Sequence, residues 1–215
     1  MTQVVTNATT STSAGENPFI GLRSFDKSDK SNFFGRSKEV KEVLRKLKTT
    51  RFLTIVGASG SGKTSLIQAG LVPELMEGFG GQGGNNWGVA KFTPGRNPIG
   101  NMANALSQRN VLSPDIKAEP NSNKIEETLR RSSLGLINYV KEKREALQGK
   151  NLLLIINQFE ELFTLMEDES MVNETRDFVK LLLRAANDKE LPIYILIAIE
   201  ADSLSEITKF RGLPE

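Results

Sequence analysis

The apolar run FLTIVG, residues 52–57, leads straight into GASGSGKTSLIQAG, residues 57–70. No other stretch narrows the possible folds so far. Gly57, Gly62, Lys63 and Thr64 satisfy the spacing G-x-x-x-x-G-K-[ST], a loop whose backbone amides cradle phosphate oxygens. The chemistry accounts for the residue types. Glycines let the backbone wrap closely round an anion, and the helix that follows aims its positive N-terminus at it. Lys63 is placed to reach the β- and γ-phosphates, and the Thr64 hydroxyl to ligate magnesium. The candidate nucleotide contacts are therefore Gly57, Ser59, Gly60, Ser61, Gly62, Lys63, Thr64 and Ser65, with Thr64 the candidate metal ligand. The alternative is a Gly/Ser turn that merely precedes a helix. At about 7% glycine, the four fixed positions coincide by chance in roughly 1% or fewer of chains this long.

FLTIVG shows no alternation of apolar and polar residues, which marks a parallel strand covered on both faces. LLLIIN at 152–157 and IYILIAI at 193–199 share that character, and a shorter strand, VAKFT at 89–93, follows the loop GFGGQGGNNWG. Helical stripes lie between them. Val40, Val43, Leu44 and Leu47 follow i, i+3, i+4, i+7 from Lys38 onward. Ile125, Leu129, Leu136, Ile137 and Val140 form a second stripe, Phe159, Leu162, Phe163 and Met166 a third, and Phe178, Leu181, Leu182 and Ala185 a fourth. Strands alternating with helices predict an α/β fold, a three-layer sandwich around a parallel sheet. Residues 1–16 are rich in Thr and Ser and nearly free of large apolar groups, which predicts a flexible tail before a domain spanning 17–215.

Composition removes several chemistries. The 215 residues include no cysteine and no histidine, which excludes disulfides, thiol nucleophiles, Cys/His zinc sites and hydrolases that need an imidazole base. Lys plus Arg number 28 against 26 Asp plus Glu, so there is no bulk electrostatic case for nucleic acid or an acidic membrane surface. The N-terminus lacks the basic and apolar regions of a signal peptide, and no run approaches the ~18 apolar residues of a membrane span. The expected compartment is the cytoplasm.

NPFIGLRSF (17–25), FFGRSKEV (33–40), TPGRNP (93–98), INQFEELFTL (156–165) and IEADSL (199–204), together with the phosphate loop, resemble the novel STAND NTPases, signal-transducing ATPases related to AAA+ proteins. The resemblance covers about residues 17–213. It implies ATP and Mg2+ as ligands, a core with strand order 5-1-4-3-2, and an adenine site lined by the turn Phe33, Phe34, Gly35 and Arg36. Phe33 and Phe34 can equally serve as a hydrophobic staple ahead of the first helix. Trp87 reads as packing rather than a base-stacking platform, since no second aromatic sits at strand spacing. The family also implies a fifth strand, a helical lid and sensor or effector domains after the core, so the chain ending at Glu215 is expected to be C-terminally incomplete, to expose one edge of its first strand, and to engage other protein chains or copies of itself.

Two positions depart from the family. Its third strand ends in Asp-Gln-Phe-Glu-Glu, where this chain has Asn157, Gln158, Phe159, Glu160 and Glu161; its fourth ends in Arg-Ala-Asp, where this chain has Glu200, Ala201 and Asp202. Both fall at carboxyl ends of strands, where an open α/β sheet binds its ligand. Asn157 is uncharged, and neutral hydrogen bonds are about half as strong as charge-assisted ones. A Glu200 carboxylate about 6 Å from a γ-phosphate, at an effective dielectric near 20, would oppose binding by roughly 3 kcal/mol per unit charge. Four outcomes stay open: binding with hydrolysis weak or absent, relocation of the metal-binding carboxylate to Glu200, slow hydrolysis supported by Glu160 or Glu161, of which Glu160 is the better base candidate and Glu161 reads rather as a solvated helix face, or loss of regulated nucleotide binding. A scaffold that needs no nucleotide is the reading from a different class.

Overall fold

The computed structural model describes residues 23–78, 87–108, 111–112, 121–143 and 149–210. The tail expected over 1–16, most of the glycine-rich loop before the second strand and the last five residues lie outside the described residues. Four parallel strands, β1 (Phe52–Gly57), β2 (Trp87–Phe92), β3 (Asn151–Ile156) and β4 (Ile193–Glu200), form one sheet in the order β1-β4-β3-β2. This is the order the family resemblance implies for strands 1 to 4.

The unbroken apolar runs serve two faces at once, as strand geometry requires. In β3, Leu153 and Ile155 face one helical layer while Leu152, Leu154 and Ile156 face the other, all at 1% exposure or less. Truncating one of them, as in Ile155→Ala, costs about 2–5 kcal/mol by the burial and cavity terms together.

The first layer holds α1 (Ser37–Thr49) and the helix after the phosphate loop. In α1, Val40, Leu44 and Leu47 are buried, and Lys46 and Lys48 in the last turn suit the negative helix end. The second helix starts as α2 (Lys63–Ser65), widens into a π-helical segment (Leu66–Leu71) and resumes as α3 (Val72–Met76). Pro73 lacks an N–H, and its ring crowds the carbonyl four residues back; the wider π turn, with Val72 N–H on the Ile67 carbonyl, accommodates it. Gly70 is where α1 meets this helix, because a Cβ there would come within 2.6 Å of Val40 and 3.1 Å of Phe33.

The opposite layer contains α4 (Pro98–Leu106), α5 (Ser122–Arg130), α6 (Gly135–Glu142) and α8 (Val172–Asn187), while α7 (Glu161–Leu165) follows the tip of β3. The stripe from Ile125 to Val140 proves to be two helices rather than one. Gly135 explains the break, since the chain doubles back there so closely that a Cβ would meet the Leu129 carbonyl at 2.3 Å. β2 starts two residues earlier than its apolar pattern suggests, at Trp87, whose ring packs on Tyr194 with centroids 4.9 Å apart. Trp87 is thus a packing residue. α4 carries no expectation from the apolar pattern; Asn97 caps it by accepting from Gly100 N–H, with Pro98 in its first turn.

Candidate functional site

The phosphate loop joins the end of β1 to the start of α2. Gly60 and Gly62 sit at φ +70° and +82°, left-handed backbone that favours glycine. At Gly57 a Cβ would lie 2.7 Å from Ser61 Oγ, so a side chain there would push the loop open. Ser61 N–H donates to the Ala58 carbonyl at 3.1 Å, which closes the turn. Lys63 Nζ lies back across the loop and donates to the carbonyls of Gly57 at 2.8 Å and Ala58 at 3.0 Å. Ser59, Gly60 and Ser61 are exposed, and Thr64 is half-buried in the first turn of α2.

Ser65 has a second role that the motif does not reveal: its Oγ accepts from the Phe25 N–H at 3.1 Å. The segment bearing Phe25 is itself fixed by Asp29, which takes two hydrogen bonds from Arg23, at 2.6 and 2.8 Å, and one from the Asp26 N–H at 2.9 Å. These bonds, Arg23 first, hold the Asp29 carboxyl well below its usual range, at about 2.

The Phe33–Arg36 turn divides its residues between packing and exposure. Phe33 is half-buried and meets Phe25 edge-on at 5.8 Å, while Phe34 is 79% exposed. Phe33 alone takes the packing place. Gly35 bends the chain at φ +86°, and Arg36 Nη1 donates to the Ser61 carbonyl at 2.7 Å.

The two departures lie at neighbouring strand tips: Asn157 directly follows β3, and Glu200 ends β4, the strand beside β1. Glu200 stands in register with Gly57 across the β1/β4 pair and is half-buried. Its N–H donates to Glu160 Oε2 at 3.3 Å, which places the Glu160 carboxylate at the tip of β4. Asn157 N–H is used by the Phe92 carbonyl at 2.9 Å, but its Oδ1 is buried with no hydrogen-bond partner among the described residues. Gln158, next in sequence, adopts φ +52°, an uncommon conformation for a non-glycine residue and one that clusters at functional sites. Glu161 Oε2 accepts from the Gly95 N–H at 3.0 Å and so fastens the TPGRNP loop to α7. Its carboxylate is occupied in holding structure.

The TPGRNP loop is held from its other end as well. Asn101 Nδ2 donates to the Thr93 and Pro94 carbonyls at 3.3 and 2.8 Å, and Arg96 pairs with Asp168 at 2.8 Å. Arg130 reaches Asn97 Oδ1 at 3.1 Å while paired with Glu126 and Glu174. Among the described residues, no three acidic side chains converge as a metal site, and no helix is long and apolar enough to cross a membrane.

A family model described as Novel STAND NTPase 1 matches residues 18–215. Among solved structures, the chain is similar to the ORC2 protein of Aeropyrum pernix in its ADPNP–ADP complexes, with 14% identity and a TM-score of 0.51 over 82% of this chain and 44% of that one. It is also similar to a Walker-type ATPase of Pyrococcus abyssi, with 16% identity and a TM-score of 0.52 over 89% of this chain and 53% of that one. At these identities the likeness is one of fold, and the chain spans about half the length of the solved chains it matches. No curated protein matches.

Proposed function

Because the chain belongs to the novel STAND NTPase 1 family, we propose that it binds ATP with magnesium and works as a nucleotide-dependent switch or assembly module in which hydrolysis is weak or absent. The observation that carries this reading is the loop itself: glycines at positive φ, a lysine ammonium drawn over the loop, and a helix start directly behind it.

The buried Asn157 Oδ1 tests whether a metal–nucleotide fits. An orphaned acceptor in a buried place carries a desolvation cost of about 1–3 kcal/mol unless a donor reaches it. At the tip of β3 a metal-bound water would be such a donor, so the residues fit the group. Thr64 and Asn157 would then hold the metal and its waters, and Lys63 the phosphates. Magnesium, when bound with the nucleotide, neutralises charge on the phosphate oxygens. Neither protein ligand is charged, which suits an ion held mainly by the phosphates and water.

Weak hydrolysis follows from the strand tips. Asn157 carries no charge, and Glu200 adds a negative group in register with the loop's first residue. One observation favours a second reading, slow hydrolysis: the Glu200 N–H draws the Glu160 carboxylate to the tip of β4, where a base able to orient water is needed.

A thermal-shift titration tests the proposal. Mg-ATP at 100 times its dissociation constant is expected to stabilise the chain by about 2.7 kcal/mol. No shift at millimolar Mg-ATP would leave the nucleotide-independent scaffold as the better reading.

A further inference from the structure

Arg36 makes a contact that its place in the sequence does not suggest. The bend at Gly35 turns the chain so that Arg36 both precedes α1 and lays its side chain against the phosphate loop, 25 residues away. Nη1 donates to the Ser61 carbonyl at 2.7 Å, and Nε lies 3.3 Å from Glu39 Oε1, which steadies the guanidinium from its other side. A Cβ built on Gly62 would sit 3.3 Å from the same Nη1, so the guanidinium also lies against Gly62.

The Ser61 carbonyl and the Gly62 N–H belong to one planar trans peptide and point in opposite directions. A hydrogen bond that fixes the carbonyl therefore fixes the N–H as well, turned to the side of the loop away from the guanidinium. Gly62, at φ +82° and without a Cβ, restrains this peptide little by itself, so an outside hold has something to restrain. Amides that must converge on phosphate oxygens bind best when already oriented.

We propose that Arg36 is a positioning residue of the phosphate cradle: it holds the Ser61–Gly62 peptide with its N–H turned toward an incoming polyphosphate, and it does not read the base. Phe34, exposed on the same turn, remains the residue of that turn open to a base. The inference rests on the nucleotide-binding reading above and assigns Arg36 to a different part of the ligand than the family resemblance implies.

Calorimetric titration of the 215-residue chain with Mg-ATP, inorganic tripolyphosphate and adenosine separates these roles. Wild type is expected to bind Mg-ATP and tripolyphosphate. Arg36→Ala is expected to weaken both by the same factor, about tenfold or more for loss of a charge-assisted hydrogen bond that orients a donor. Adenosine titration is expected to be unchanged. Arg36→Lys should fall between, because an ammonium can reach the carbonyl but does not hold Glu39 and Ser61 in one plane. Glu39→Gln should weaken both phosphate ligands slightly in the same direction. Should Arg36→Ala fail to fold, the lysine and glutamine variants decide the matter by the same comparison. Loss of ATP or adenosine binding with tripolyphosphate unchanged would show a base contact and overturn the inference. Unchanged binding of all three ligands would overturn it too. A wild type that binds neither phosphate ligand would overturn the nucleotide reading, and this inference with it.

Discussion

The backbone N–H of Glu200 donates to the Glu160 carboxylate across 3.3 Å. Because Glu200 also stands opposite Gly57, this bond joins the turn after β3, the end of β4 and the first residue of the phosphate loop. Glu200 at the end of β4 and the Glu160 carboxylate bonded to its N–H thus stand beside the loop proposed to bind phosphate, which sets up the first prediction.

Glu200→Arg should tighten Mg-ATP binding. One unit of like charge at about 6 Å, with an effective dielectric near 20, opposes an anion by roughly 3 kcal/mol, and the half-burial of Glu200 leaves part of that to solvent screening. A gain of about tenfold or more in affinity is expected by titration calorimetry. The Glu160 contact survives, since it uses the backbone of residue 200. Loss of magnesium-dependent binding instead would show that Glu200 serves the metal.

Lys63→Ala should abolish ATP-dependent stabilisation while leaving the fold in place. Among the described residues its ammonium bonds to the carbonyls of Gly57 and Ala58, and Ala58 is exposed, so water can replace much of what the apo chain loses. The ligand-free melting temperature should change little, and the shift of about 2.7 kcal/mol at 100 times the wild-type dissociation constant should vanish. Equal shifts for both proteins would remove Lys63 from the site.

Thr175→Val should stabilise the chain. Thr175 is 0% exposed in α8, and its hydroxyl has no hydrogen-bond partner among the described residues. Valine keeps the shape and removes an unsatisfied group, worth about 1 kcal/mol or more. For a chain of this size the melting temperature should rise by about 2–4 °C. A fall would mean that the hydroxyl is satisfied after all.

Asp29 gives an acid dependence with a definite sign. Its carboxyl is held at about 2, from an ordinary value of 3.8, by Arg23 first and the Asp26 N–H second. A carboxylate depressed on folding stabilises above its unfolded pKa and loses that contribution as pH falls through the folded one. Asp29→Asn should therefore be less stable than wild type at neutral pH, with the gap closing between about pH 4 and pH 2. Urea midpoints across that range measure it; a gap independent of pH would assign the loss to packing.

What was legible in the sequence was local or periodic. β1, β3 and β4 stand where their apolar runs lie, because residues such as Leu153 and Leu154 must satisfy opposite layers and leave no polar position between them. The loop between β1 and α2 was legible in the same local way, since the motif residues Gly57 to Thr64 lie within one short segment. Gly88 was not readable as strand: its missing side chain admits the Val111 carbonyl, which would lie 1.9 Å from a Cβ, yet a glycine beside a glycine-rich loop reads as more loop. For α4 the signals were present in Asn97 and Pro98 but lay inside a motif read for its family likeness. The contacts that assemble the site were least visible. Arg36 with Ser61, Phe25 with Ser65 and Glu160 with Glu200 are 25, 40 and 40 residues apart, and a single long-range hydrogen bond leaves no period to detect.

Asn157→Asp should trade apo stability for metal dependence. The Asn157 Oδ1 is already buried without a donor among the described residues, so a carboxylate there would carry a larger desolvation cost than the amide does. Without ligand, the variant should be less stable by about 1–3 kcal/mol, or should take up a proton and show a raised carboxyl pKa. With magnesium and ATP the order reverses: the carboxylate gains charge-assisted bonds to the metal's waters, about twice as strong as those of the amide. The thermal shift on adding Mg-ATP should therefore be larger than in wild type, and the shift with ATP plus a chelator should not. Combined with Glu200→Arg, which removes negative charge from the same metal-phosphate unit, turnover should rise by more than the product of the single effects. Phosphate release measured for the four proteins of this cycle decides the matter. Brisk hydrolysis by wild type, unaltered by either substitution, would show that both departures are irrelevant to the chemistry and would turn attention to Glu160, whose Glu160→Gln variant can still accept the Glu200 N–H while lacking the base.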